Sequence, residues 1–133
     1  MFGKWKKHPT PGRCLSMDKL PKLLLIEDDA DTASLIQETL VDHFGEGCVQ
    51  CCLSVAEAKE IQVEQIDLVI SDMNLPDGSG LDVLKHMLAQ RNDLPIVFVT
   101  AEGILENAIT AIRQGAYDYI VKTGDYLFSI PLI

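Results

Sequence analysis

Four places in this sequence carry side chains that could do chemistry together: the acidic run Glu27-Asp28-Asp29, the solitary Asp72, the hydroxyl of Thr100 and the amine of Lys122. Each closes a short, largely apolar segment. Leu23-Leu24-Leu25-Ile26 precedes the acids, Ile66 to Ser71 precedes Asp72, Pro95 to Val99 precedes Thr100, and Tyr119 to Val121 precedes Lys122. Clustered carboxylates are hard oxygen donors of the kind Mg²⁺ demands, and that ion can take a phosphate oxygen into its octahedron. A carboxylate can also attack phosphorus to form an acyl phosphate. A fixed ammonium and a hydroxyl able to bond a phosphate oxygen would complete a site that works by positioning and charge neutralisation. Acids gathered this closely repel one another, so the site without its cation is strained. Asp29 reads instead as a helix cap, tipped towards the helix that follows.

Taken singly, each of these residues is better read as ordinary structure. An acidic strand end is commonly solvated capping, a strand-end threonine is unremarkable, and a lone lysine is most often a surface charge. Only a fold that brings them together changes that weighting, and the pattern of the chain predicts one. Leu23 to Ile26 is the unbroken apolar run of a strand buried on both faces. Ala33, Ile36, Leu40, Val41 and Phe44 follow at helical spacing, ended by Gly45 and Gly47. Cys48 to Leu53 reads as a second strand. Ser54 with Glu57 is a capping box opening a short helix through about Val63. Ile66 to Ser71 is the third strand, and Asn74 to Gly80 is a loop. Leu81, Leu84, Met87 and Leu88 form the stripe of a third helix, Pro95 to Val99 the fourth strand, Ile104 to Gln114 a fourth helix, and Tyr119 to Val121 a fifth strand. Five buried strands alternating with helices imply right-handed crossovers and a parallel sheet. Such sheets bind ligands at the carboxyl ends of their strands, where Glu27, Asp28, Asp72, Thr100 and Lys122 all fall.

Four segments now bear comparison with a known family: Leu24 to Asp29, Ile70 to Gly80 (Ile-Ser-Asp-Met-Asn-Leu-Pro-Asp-Gly-Ser-Gly), Val97 to Ala101, and Gly115 to Lys122. In order and spacing they resemble the signature blocks of response-regulator receiver domains, from about Lys22 to the C-terminus. The resemblance implies a flavodoxin-like, doubly wound α/β fold with strand order 2-1-3-4-5 and flanking helices. It implies a phosphoacceptor module of two-component signal transduction, with Asp72 as acceptor and Thr100 and Lys122 assisting. Mg²⁺ would be held by Glu27, Asp28, Asp72 and the backbone carbonyl of Asn74. Thr100 and the strand-five aromatic, Tyr119, would form the switch, while Asn74 and Glu102 at the pocket mouth would set the phosphoryl lifetime. The donor would be a sensor histidine kinase or phosphotransfer protein, and the face of helix four, strand five and helix five would report the signal, including through a homodimer. Such a protein acts on itself as a switch and is not a turnover enzyme. Thr123 departs from the family pattern, which has proline after the lysine. A cis bond before a non-proline costs about 2.5–4 kcal/mol, so the expected bond is trans.

The remaining composition narrows the class. Residues 1–16 hold Lys4, Lys6, Lys7 and Arg13 and no acid; removing these four charges from the total of −9 leaves −13 on residues 17–133. So acidic a body repels nucleic-acid phosphates, and no direct nucleic-acid binding is expected of it. Residues 1–19 read as a disordered basic leader, broken by Pro9, Pro11 and Gly12, with no apolar stretch of a secretory signal. Residues 20–133 form the domain, with a fifth helix cut short after Asp125 and the sequence read as part of a longer regulator. No run is long enough to span a bilayer. Cys14, Cys48, Cys51 and Cys52 read as reduced thiols of a cytoplasmic protein, with burial expected for the last three. No zinc site is expected, because no second cysteine pair exists and His8, His43 and His86 are scattered. An aspartyl phosphatase would carry a second Asp where Asn74 stands, and a flavin carrier would need a phosphate loop where Glu27-Asp28-Asp29 would repel phosphate.

Overall fold

The computed structural model describes residues 20–101, 105–123 and 126–130. The apolar runs become the strands of one sheet, and the periodic segments become helices covering both its faces. In chain order the elements are β1 (Leu23–Ile26), α1 (Ala30–Phe44), β2 (Val49–Cys52), α2 (Val55–Lys59), β3 (Leu68–Ser71), α3 (Gly80–Gln90), β4 (Ile96–Thr100), α4 (Leu105–Arg113), β5 (Asp118–Val121) and α5 (Tyr126–Ser129). All pairings in this sheet are parallel, and its order is β2-β1-β3-β4-β5. The expected α/β fold and strand order are therefore found.

Alternation along each strand sorts side chains between two layers. Leu24, Ile26, Val69, Ile96 and Phe98 face one core with Val55, Val83, Leu84, Met87 and Ala111, beneath α2, α3 and α4. Leu23, Leu25, Leu68, Ile70, Val97 and Val99 face the other with Ile36 and Leu40 of α1 and Ile130 just beyond α5. Because both faces are covered, β1, β3 and β4 are buried at every residue.

The strands are not all buried: β2 is exposed at Gln50 and Cys51, and no residue of β5 is fully buried. Both lie at sheet edges, where one flank has no neighbouring strand among the described residues. Cys48 and Cys52 are buried, but Cys51 is exposed because successive strand residues point to opposite faces. The third strand begins at Leu68 instead of Ile66, since residues 63–65 form a 3₁₀ turn closed by the Ile66 N–H to the Val63 carbonyl. Helix α2 stops at Lys59, short of Val63. The segment read as a loop contains a small antiparallel hairpin, with Asn74 opposite Ser79 and Leu75 opposite Gly78. The leader, residues 1–19, lies outside the described residues, as does Cys14 within it.

Candidate functional site

Backbone ladders bring the strand ends level. The Glu27 N–H donates to the Cys52 carbonyl at 3.0 Å, the Asp72 N–H to the Ile26 carbonyl at 2.9 Å, and the Lys122 N–H to the Thr100 carbonyl at 2.7 Å. Each bond ties the residue just past one strand to the end of its neighbour. One carboxylate oxygen from each of Glu27, Asp28 and Asp72 can be chosen so that all lie within 4.8 Å of one another. Glu27 is 2% exposed, Asp72 is partly buried and Asp28 is open to solvent.

Lys122 reaches across from β5. Its Nζ donates to Glu27 Oε1 at 2.7 Å and to Asp72 Oδ2 at 3.3 Å, joining residues 95 and 50 positions apart in sequence. The backbone is trans through Lys122 and Thr123, and the amine still aims into the acids despite the missing proline. The two members of the close pair respond unequally. Burial pushes the Glu27 carboxyl above its usual value, opposed by the Lys122 hydrogen bond and reinforced by the charge of Asp72. Burial alone would lower the Lys122 amine, but its hydrogen bond to Glu27 and the charges of Asp72 and Glu27 outweigh it and hold that amine above its usual value. Glu27 is the more deeply buried of the two and faces a like charge, so burial prevails on the acid and attraction on the amine.

Asp29 stands apart from this cluster as a cap. Its side chain accepts from the Thr32 N–H at 3.0 Å and from the Thr32 hydroxyl, which together lower its carboxyl below the usual value. Thr100 is buried at the end of β4, beside the ladder bond that carries Lys122. Asn74 sits at the rim, its N–H donating to Asp72 Oδ1 at 3.4 Å. Tyr119 is not in the cluster. It is half-buried against the core, 6.3 Å between ring centroids from Phe98. Glu102 lies outside the described residues.

The backbone around Asp72 leaves no room for side chains behind it. A Cβ added to Gly80 would lie 2.5 Å from the Asp72 carbonyl oxygen and 2.6 Å from the Phe98 ring, so only glycine lets α3 start so close to the strand end. Ser79 and Asp82 form a full capping box there, visible in the sequence as Ser-x-x-Asp but not singled out. Asp77, within the Ile70 to Gly80 motif, is a further functional residue. Its carboxylate accepts from the N–H groups of Val55 and Ala56 at 2.8 and 3.0 Å, and these bonds lower its pKa. No sequence signal announces a bond spanning 22 residues.

The cluster suits a divalent cation on the chemistry of its donors, since three converging carboxylate oxygens are hard ligands. With an amine inside bonding distance of two of them, the same place can receive an anionic group. Among the described residues, no helix is long and apolar enough to cross a membrane.

Residues 23–126 match the family described as the response regulator receiver domain. The response regulator protein PilR of Pseudomonas aeruginosa is 35% identical over 105 residues, which are 78% of this chain and 23% of that protein. The C4-dicarboxylate transport transcriptional regulatory protein DctD of Rhizobium meliloti is 36% identical over 107 residues, 80% of this chain and 23% of its own length. This chain thus spans about a quarter of the length of these relatives. Among solved structures, the non-phosphorylated receiver domain of HemR from Leptospira biflexa superposes with a TM-score of 0.75 at 28% identity, covering 84% of this chain and 91% of that one.

Proposed function

This chain belongs to the response regulator receiver domains, phosphoacceptor modules of larger regulators, and we propose that Asp72 is its acceptor. The observation that carries the assignment is Lys122 Nζ lying 2.7 Å from Glu27 and 3.3 Å from Asp72, which joins three strand ends in one charged pocket. A carboxylate oxygen of Asp72 attacks the phosphorus of a phosphohistidine on a sensor kinase or phosphotransfer protein. The P–N bond breaks with its electron pair staying on the ring, the ring takes a proton and leaves as imidazole, and an aspartyl phosphate remains. Lys122 holds its positive charge against the phosphoryl oxygens, and the Thr100 hydroxyl donates to one of them. Glu27, Asp28, Asp72 and the Asn74 carbonyl would hold Mg²⁺, which when bound supplies positive charge against the transferring group.

The response follows from added charge. Phosphorylation brings about −1.5 to −2 charges to Asp72 and new acceptor oxygens. Thr100 moving towards them opens space beside β4 for Tyr119, which rests half-buried next to Phe98. Asn74 and Glu102 set how fast water removes the phosphoryl group. The reporting face is that of α4, β5 and α5, where Leu105, Ile109 and Ile112 are exposed apolar residues suited to a homodimer. The chemistry is performed by the chain on itself, in a longer cytoplasmic regulator whose domain here runs over residues 20–133.

Intact mass after incubation with acetyl phosphate and Mg²⁺ tests the central assignment. Wild type gains one phosphoryl mass, and Asp72→Ala or prior chelation prevents it. A gain in Asp72→Ala equal to wild type, or none in folded wild type, would overturn it. For the dimer, sedimentation after phosphorylation should show wild type associating and Ile109→Asp monomeric; identical profiles would refute that face.

A further inference from the structure

Asn74, whose carbonyl the foregoing function assigns to the cation, stands on a hairpin with two paired residues in each arm. So small a hairpin has little stability of its own. Its anchorage therefore decides where that carbonyl points. Leu75 is buried in the core that also contains Val55. At the far end, the Gly80 N–H donates to the Met73 carbonyl at 2.7 Å. The third attachment is at the turn, where Asp77 uses both carboxylate oxygens: Oδ1 accepts from the Val55 N–H at 2.8 Å and Oδ2 from the Ala56 N–H at 3.0 Å.

Those two amides belong to the first turn of α2, where no helical carbonyl can reach them. The next one, of Glu57, is taken by the Ser54 hydroxyl at 3.1 Å, and the Glu57 carboxylate in turn accepts from the Leu53 N–H at 2.8 Å. Helix α2 thus already has its own N-cap in Ser54. What Asp77 adds is a two-pronged link between the helix and the hairpin tip. Gly78 keeps the approach close, since a Cβ there would lie 3.3 Å from Val55 Cγ2.

We propose that Asp77 is a positioning residue for the cation and phosphoryl site: by clamping the turn to the start of α2 it holds the Asn74 carbonyl beside Asp72. The inference rests on the phosphoacceptor function proposed above. Untying the clamp leaves Glu27, Asp28, Asp72 and Lys122 in place but lets the hairpin turn its carbonyl away. The loss then falls on cation affinity first, and on phosphoryl uptake only through it.

The test uses the full chain, with Mg²⁺ alone titrated by calorimetry, uptake from acetyl phosphate followed by intact mass, and stability measured in urea. A folded wild type that neither binds Mg²⁺ nor takes a phosphoryl group refutes the underlying function. With a wild type that does both, Asp77→Ala should raise the Mg²⁺ Kd about tenfold, as loss of an outer supporting bond does at other metal sites. Saturating Mg²⁺ should restore its uptake rate, which a general loss of structure would not allow. Asp77→Asn keeps one acceptor oxygen and should fall between. Ser54→Ala weakens the same helix without untying the hairpin, and its Mg²⁺ Kd should stay that of wild type. A wild-type Kd in Asp77→Ala, or an equal rise in Ser54→Ala, overturns the proposal. If Asp77→Ala does not fold, Asp77→Asn compared with Ser54→Ala decides on the same criteria.

Discussion

Every residue of β1, β3 and β4 is buried, whereas β2 keeps only Cys52 buried and β5 none. Glu27, Asp28, Asp72 and Thr100 issue from the buried trio; Lys122 and Tyr119 belong to the outer strand β5 and its end. The strand backbones that carry the acids and the hydroxyl therefore cannot shift without opening a close-packed core, while the Thr100 side chain can still turn on its strand. The amine and the aromatic stand on an edge with fewer buried contacts, the part of a fold expected to yield at lower free-energy cost. The division suits a switch, with a fixed place for the charge to arrive and a softer flank to answer it. Both regions share one ladder of hydrogen bonds, from β3 through β4 to β5, so a change at Asp72 has a short route to Tyr119.

Stability should separate the centre of the sheet from its edge most clearly. Ile70→Ala, at a fully buried position of β3, should cost about 2–5 kcal/mol in urea unfolding. Ile120→Ala, half-buried on β5, should cost less than half as much. Equal losses would show that the edge is as firmly held as the centre. Next in size is chemistry. Lys122→Ala should slow phosphoryl uptake about a hundredfold, the usual scale for losing one group that stabilises transferring charge. Single-turnover mass measurements against wild type check this, and an unchanged rate would remove Lys122 from the site.

The smallest effect lies at the hairpin. Asp77 has a folded-state pKa below its usual 3.8, held there by the Val55 and Ala56 N–H groups. An acid with a depressed folded pKa contributes stability that is present above its unfolded value and lost as pH falls through the folded one. Wild type should therefore exceed Asp77→Asn in stability by a constant margin above pH 3.8, and the margin should close on further acidification. Urea midpoints across that range measure it. A margin unchanged in acid would mean that the carboxylate charge contributes nothing to the clamp.

How much of this was legible in the chain depends on the distance over which each feature acts. Leu23 to Ile26 announced a two-faced strand because its pattern is complete within four residues. Ser54 and Glu57 announced a cap for the same reason, and Asp29 capped α1 as expected. The strand-end acids could be gathered into one site because the topology of parallel sheets places strand ends together. Ile66 misled, since an apolar residue next to a strand reads as strand while its N–H closes a 3₁₀ turn. Cys51 misled for a different reason: an apolar run shows neither which strand lies at the sheet edge nor which face is covered there.

The strand and helix pattern, the residue types of the site and the family that carries them all follow from the order of residues alone. These are written in local spacing and in short motifs, where periodicity and side-chain chemistry act between near neighbours. It takes the packed fold to bring the Lys122 amine to both Glu27 and Asp72 past Thr123, to rest Tyr119 against Phe98, and to tie the hairpin to α2 through Asp77. Each of those contacts joins residues from 21 to 95 positions apart in the chain. Their partners are chosen by how layers pack and strands align, which no local pattern records.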